Sequence, residues 1–253
     1  MLDKEFKGKK ILITGASKGL GKEISLEFNK LGAKLIMISR SKSLLDKIPK
    51  KKNLTYPIDL FDKNVLKETL EDIKKKEKFV DVIIHCLGGS FGVNNPLEGW
   101  KNFNRCLLGN IGIAIEINKT FIPMMQKKKR GNIIHVSSIS GLQSNASVPY
   151  VTSKSALSGY VRTMGNYLAN YNVILSGIVP GAFIGDSNAM SRFRFYKPKE
   201  YKEFVKKLPQ SRMPKVSEYI PMIKNLSSSK SQIFSGSLIS LDTGQGSTIL
   251  QHY

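Results

Sequence analysis

The sequence predicts an α/β fold, a doubly wound parallel sheet of about seven strands with helices on both faces. Three observations predict it. Short β-branched runs alternate with helix-period segments from the start of the chain, which is the pattern of strands covered on both faces. A glycine-rich turn follows the first such run directly and opens a helix. The 253 residues, 41% of them apolar, carry no long Pro-, Gly- or Ser-rich linker and no internal repeat, so 1–253 is expected to form one domain.

The expected strands are 10–14, 34–39, 54–58, 80–86, 132–137, 173–179 and 237–241. Between the first two, Leu20, Ile24, Phe28 and Leu31 share one helical face, and Gly32 is placed to end that helix. Val65, Thr69 and Ile73 line a later helix, 100–126 can hold a long one, and another is expected over 149–170. Segment 186–219 breaks the alternation. It is rich in aromatic and basic residues, is interrupted by Pro198, Pro209 and Pro214, and reads as an inserted loop or helical lid over a substrate site.

Composition excludes several classes. Cys86 and Cys106 are too few for a disulfide scaffold, and neither has metal-ligand spacing with any of the three histidines, so no metal site is expected and a reducing compartment fits. The first ten residues lack a signal-peptide core. The most apolar stretch, 111–117, is short and contains Glu116, so a cytoplasmic protein without a membrane span is expected. The net charge of +21 raises nucleic acid as a partner. However, lysines occur throughout, with runs at 50–52, 74–76 and 127–130 where helix ends or loops are expected, so the charge reads as a solvated surface and no nucleic-acid partner is expected.

Two motifs carry chemistry. After the first strand comes Thr14-Gly15-Ala16-Ser17-Lys18-Gly19-Leu20-Gly21, whose glycines let backbone amides and a helix N-terminus approach a pyrophosphate. Further on, Tyr150-Val151-Thr152-Ser153-Lys154 puts a phenol and an ammonium one turn apart on one helix face. A phenol titrating near 10 is a poor acid/base at neutral pH, and a fixed cation beside it favours the phenolate.

Glycines spaced four and then two apart, followed by this Tyr/Lys pair, resemble the short-chain dehydrogenases/reductases over nearly all of residues 8–246. The resemblance implies a Rossmann fold and an enzyme that moves hydride between a nicotinamide and a carbonyl or secondary alcohol. In it, Tyr150 exchanges the proton with the substrate oxygen and Lys154 holds the nicotinamide ribose. It also implies a serine that binds the substrate oxygen. Ser138, three before Gly141, matches best, with Ser137 and Ser140 as alternatives. Asn110 resembles the helix asparagine that completes the proton relay, unless it is only a polar residue bending a helix.

For the cofactor the resemblance implies contacts from Gly15, Ser17, Lys18, Gly19, Leu20 and Gly21, from Asp59 and Leu60 at the adenine, from Gly88, and from the Pro180-Gly181 turn beside the nicotinamide. His85-Cys86-Leu87-Gly88 stands where the family has Asn-Asn-Ala-Gly, and His85 is read as a structural replacement. The threonine usual after Pro180-Gly181 is absent. An NAD site needs an acid at the end of the second strand, but Ser39 stands there, followed by Arg40, whose planar donors suit a 2′-phosphate. NADP(H) is therefore the expected cofactor.

A dimer or tetramer is expected through helices 100–126 and 150–170, with Ile113, Ile117, Phe121, Leu157 and Val161 as candidates for the interface, though some must face the sheet. The substrate is expected to be a small molecule. Arg192, Arg194, Lys197, Lys199, Lys202 and Arg212, with Phe193, Phe195 and Tyr196, suit an anionic group on an apolar or ring-bearing body, such as an acyl thioester or a nucleotide-linked sugar, or are simply solvated charge. The rival class is a non-catalytic NADP(H)-binding regulator or a nucleic-acid-binding protein on the same fold. Retention of Ser138, Tyr150 and Lys154 together argues against it.

Overall fold

The computed structural model describes residues 2–49 and 53–247, so the lysine run at 50–52 lies outside the described residues. Its strands are β1 Lys10–Thr14, β2 Lys34–Ile38, β3 Leu54–Tyr56, β4 Val82–His85, β5 Asn132–Val136, β6 Ile174–Pro180 and β7 Leu238–Leu241. They form one seven-stranded sheet in the order β3-β2-β1-β4-β5-β6-β7, parallel throughout. The chain winds outward from β1 to one edge, returns to β4, and winds to the other edge. β3 stops at Tyr56 because Pro57 has no amide proton for the ladder.

The continuous apolar runs split by the two-residue period of a strand. Ile11, Ile13, Leu35 and Met37 fall in one buried cluster, whereas Leu12, Ile36, Ile83 and Ile133 fall in the other. The first cluster is closed by α1 Gly19–Lys30, where Leu20, Ile24 and Phe28 are buried as the periodicity predicts. A short α2 Lys42–Leu45 follows β2. The second cluster is closed by α3 Lys63–Glu77, α5 Ile113–Lys128 and α6 Val148–Ala169.

The long helix expected over 100–126 is α4 Trp100–Leu107 and α5 joined by a π-helical turn, Leu108–Gly112, centred on Asn110. The interface residues need correcting. Ile113, Ile117, Phe121, Leu157 and Val161 are all at most 3% exposed and pack under the sheet, so they are core and offer nothing to a second chain.

Segment 186–219 is a helical hairpin, α7 Ala189–Tyr196 and α8 Pro198–Lys206, in which no helical residue is buried. Its own small cluster holds it together, with Phe193 edge-on to Tyr201 and Phe204. The segment's far end belongs to the body, because Val216 and Tyr219 join the first cluster. After it comes α9 Ile220–Leu226, too short to show a period in the sequence, with Ile223 and Leu226 buried. No helix among the described residues is long and apolar enough to cross a membrane.

Under β4 and β5 lies a polar knot. His85 and His135 stack with ring centroids 4.5 Å apart, His85 Nε2 lies 2.9 Å from Asn118 Oδ1, and Asn118 Nδ2 donates to the Tyr160 hydroxyl at 3.0 Å and faces His135 Nε2 at 3.3 Å. The amide oxygen can only accept and its NH2 only donate, so His85 carries its proton on Nε2 and His135 on Nδ1. Burial pushes His85 down to about 4 and His135 well below its ordinary value, with the charges of His85 and Lys154 adding to the latter shift.

Their unfolded forms titrate near 6.5, so between pH 6.5 and 4 the unfolded chain binds more protons and stability falls as pH falls. His85 alone is expected to remove about 3 kcal/mol across that window. The urea midpoint followed against pH checks this: it should drop before the carboxylate range is reached, and a flat profile down to pH 4.5 contradicts it.

Candidate active site

The C-terminal ends of β1, β4, β5 and β6 share one edge of the sheet, beside the reversal of strand order between β1 and β4, where doubly wound sheets open a crevice. The glycine loop lies there. Gly15 and Gly19 have φ of +65° and +50°, and a side chain on Gly21 would strike Gly15 O at 2.4 Å, so the loop doubles back on itself as only glycine allows. α1 starts after the extended Lys18 with no side-chain cap, which leaves its first amides facing the crevice where an anion fits.

Ser138 follows β5 in an extended conformation, and its Oγ caps the next turn by accepting from Ser140 N at 3.1 Å. Gly141 explains the Ser-x-x-Gly pattern. A Cβ there would lie 2.8 Å from the Lys154 backbone, so glycine lets this turn press onto α6 and brings Ser138 to Tyr150. Burial pushes the Tyr150 phenol up, and the contact with the Ser138 hydroxyl works against that rise. Of the three candidate serines only Ser138 makes this contact. Ser137 is buried and pairs with Ser158 at 3.2 Å, and Ser140 is buried beneath the turn.

Lys154, 3% exposed, lies one turn along α6 with Nζ 5.8 Å from the Tyr150 ring centroid, and it donates to Val136 O at 2.8 Å. Burial pushes its ammonium down to about 8. Asn110 reaches the same spot from the π turn: its Oδ1 accepts from Gly89 N at 3.0 Å and its Nδ2 donates to the carbonyls of Gly89 and Cys106, both at 2.8 Å. A methyl on Gly88 would meet Asn110 Oδ1 at 2.9 Å and Lys154 Nζ at 3.1 Å, so Gly88, Asn110 and Lys154 meet at one point. Local π turns often sit at functional sites.

On the other side of the crevice the Ser17 and Ser39 hydroxyls lie 2.6 Å apart, with Lys18 and Arg40 exposed next to them. Asp59 is exposed and its carboxylate accepts from Phe61 N at 3.1 Å, while Leu60 is buried. Pro180 ends β6 and Gly181 follows it.

The basic residues of 186–219 do not act as one group. Arg212 is held in a two-pronged pair with Glu218 at 2.7 and 2.8 Å, which pulls that carboxyl down to about 2. Lys197 pairs with Glu200, and Arg192 donates to Ser187 O. Two contacts of the site's rim had no local signal in the sequence: Lys22 Nζ to Asp186 at 2.6 Å, and Gln245, which bonds backbone groups 63 residues earlier.

Comparison with known proteins bears on this geometry. The family model for short chain dehydrogenases matches residues 9–193. The chain is 29% identical to 3-oxoacyl-acyl-carrier-protein reductase FabG of Thermotoga maritima, covering 94% of this chain and 97% of that one. It is 28% identical to L-xylulose reductase of Caenorhabditis elegans over 95% and 96% of the two chains. The structure of L-sorbose reductase from Gluconobacter frateurii, complexed with NADPH and L-sorbose, superimposes with a TM-score of 0.85 at 21% identity, covering 98% of this chain and all of that one. With a family model matched over most of its length and its sheet order that of a doubly wound dinucleotide fold, the chain belongs to the short chain dehydrogenase family.

Proposed function

We propose that this chain is an NADP(H)-dependent oxidoreductase that interconverts a carbonyl and a secondary alcohol. The observation that carries the reading is Tyr150 with Ser138 beside it and Lys154 one turn away, at the C-terminal ends of the strands where the uncapped start of α1 also opens. The dinucleotide, when bound, supplies or takes up the hydride. Gly15, Ser17, Lys18, Gly19, Leu20 and Gly21 hold its phosphates, Ser39 and Arg40 the 2′-phosphate, Asp59 and Leu60 the adenine, and Gly88, Pro180 and Gly181 its other end. The fit rests on the uncapped first amides of α1, presented by a loop folded so tightly that a Cβ on Gly21 would strike Gly15 O.

The chain's own residues handle the proton. Ser138 orients the substrate oxygen, Tyr150 exchanges the proton with it, and the Lys154 charge favours the phenolate. Asn110 steadies the Gly88–Gly89 backbone beside Lys154 and completes the relay. The α7–α8 hairpin, with few anchors to the body, serves as the lid over a small-molecule substrate. Arg194, Lys199 and Lys202, exposed on it, suit an anionic substrate, and the relatives named above reduce acyl-carrier-protein thioesters or keto-sugars by name.

Two unpaired cysteines support a cytoplasmic location. Self-association as a dimer or tetramer is supported by the outward side of α3 and α5, where Leu66, Ile115 and Met124 help line a groove of about 1010 Å³. The test is a panel of β-ketoacyl thioesters, keto-sugars and simple ketones, read by NADPH consumption. Turnover of one class by the wild-type chain is expected, and NADPH binding without turnover of any class would favour the regulatory rival.

A further inference from the structure

The turn after β6 is held by the chain's end. Gln245 Oε1 accepts from Ala182 N at 2.7 Å, and its Nε2 donates to Ala182 O at 3.1 Å and to Thr243 Oγ1 at 3.2 Å. Both backbone polar groups of Ala182 are thus taken by one carboxamide. Gly181 is what lets it lie so close: a Cβ there would sit 2.7 to 3.0 Å from the head of Gln245.

Gln245 is itself presented by a tight loop wound on Asp242. That carboxylate accepts from Gly244 N at 3.1 Å and Gly246 N at 2.9 Å, while Asp242 O accepts from Gln245 N at 3.0 Å. Parallel pairing of Pro180 with Leu241 brings the loop out directly beside Gly181. The same loop reaches the other side of the site, because Ser247 N and Oγ donate to Gln143 Oε1 at 3.1 and 3.3 Å, and Gln143 lies between Ser138 and Tyr150 in the chain. Further along the turn, Phe183 O accepts from Asn188 at the foot of the lid at 2.6 Å.

From this clasp we infer that Gln245 is a positioning residue for hydride transfer: it sets the Pro180–Gly181–Ala182 turn at the nicotinamide end of the cofactor site and ties that turn to the loop that carries Ser138. The inference rests on the NADP(H) reading above. The family's usual threonine after Pro180-Gly181 is missing here, and the Gln245 clasp holds the turn from outside instead. Its effect falls on geometry at the reacting end, because none of its bonds touches Gly15–Gly21, Ser39 or Arg40.

The test is Gln245→Leu, similar in volume but unable to make any of the three bonds, compared with the wild-type full-length chain. Three readouts are taken: kcat and KM with the best substrate at saturating NADPH, the dissociation constant of NADPH, and that of adenosine 2′,5′-bisphosphate, which carries the adenine end without the nicotinamide. A misplaced reacting end is expected to lower kcat about 10- to 100-fold. Binding of the bisphosphate should stay within about twofold, since its contacts are remote. Unchanged kcat overturns the inference, and so does equal loss of both ligands, which would mark a structural role. Gln245→Glu, which keeps the acceptor but loses the donor, should fall between Leu and wild type in kcat, and it serves if the Leu variant fails to fold. A wild-type chain that binds neither NADPH nor the bisphosphate would instead sink the NADP(H) reading.

Discussion

Tyr150→Phe is expected to bind NADPH as the wild-type chain does and to lose about 10²- to 10⁴-fold in kcat, the range a positioned acid/base supplies. The substitution removes one hydroxyl and keeps the ring that packs beside Lys154. Ser138 then loses its partner, but its Oγ still caps the turn through Ser140 N, so the loop should keep its shape. The phenol is raised by burial and lowered by Ser138, while Lys154 is brought down to about 8 by burial. Burial thus disfavours the charged form of both groups, and loss of the phenol oxygen, which exchanges the proton, is expected in turnover before it is felt in binding. Steady-state kinetics with a fluorescence titration of NADPH checks this. A variant that keeps most of its activity with the best substrate refutes the assignment of Tyr150.

The second large effect is expected at the cofactor's 2′ position. The wild-type chain should bind NADPH more tightly than NADH, and Arg40→Ala combined with Ser39→Asp should reverse the order. Loss of one charge-assisted contact costs about 1.5 to 3 kcal/mol, or roughly 10- to 150-fold in NADPH affinity. The new carboxylate would stand beside the Ser17 hydroxyl, where Ser39 Oγ now lies 2.6 Å away, and would accept from ribose hydroxyls while repelling a phosphate. Dissociation constants for both dinucleotides decide it, and tighter NADH binding by the unmutated chain removes Arg40 from the site.

Much of this was legible in the chain because it is coded locally. The seven strands stand where short β-branched runs predicted them, and α1 buries the face its period marked, since both signals need only neighbouring residues. The glycine loop and the Tyr150/Lys154 spacing are local in the same sense: three glycines and one helical turn are enough to write them. Segment boundaries were legible only to within a few residues, as at β3, where Pro57 cut short a run that reads on to Ile58.

What the tertiary structure decided involves groups distant along the chain. Spacing to Gly141 already favoured Ser138 over Ser137 and Ser140; the close approach of Gly141 to α6 supplies the physical reason for that spacing. Helix periodicity could not say which of two apolar neighbours α5 and α6 would face, and the sheet took Ile113, Ile117, Phe121, Leu157 and Val161 because burial there covers both strands and helices at once. Arg212 looked like a ligand for an anion until Glu218, six residues on, came within reach of its fork. Gln245 meets Ala182 only because β7 pairs in parallel with β6, and a hydrogen bond to a backbone amide leaves no mark on the partner's residue type. Local patterns therefore wrote the sheet, the phosphate loop and the Tyr/Lys pair, and packing across the sheet chose their neighbours.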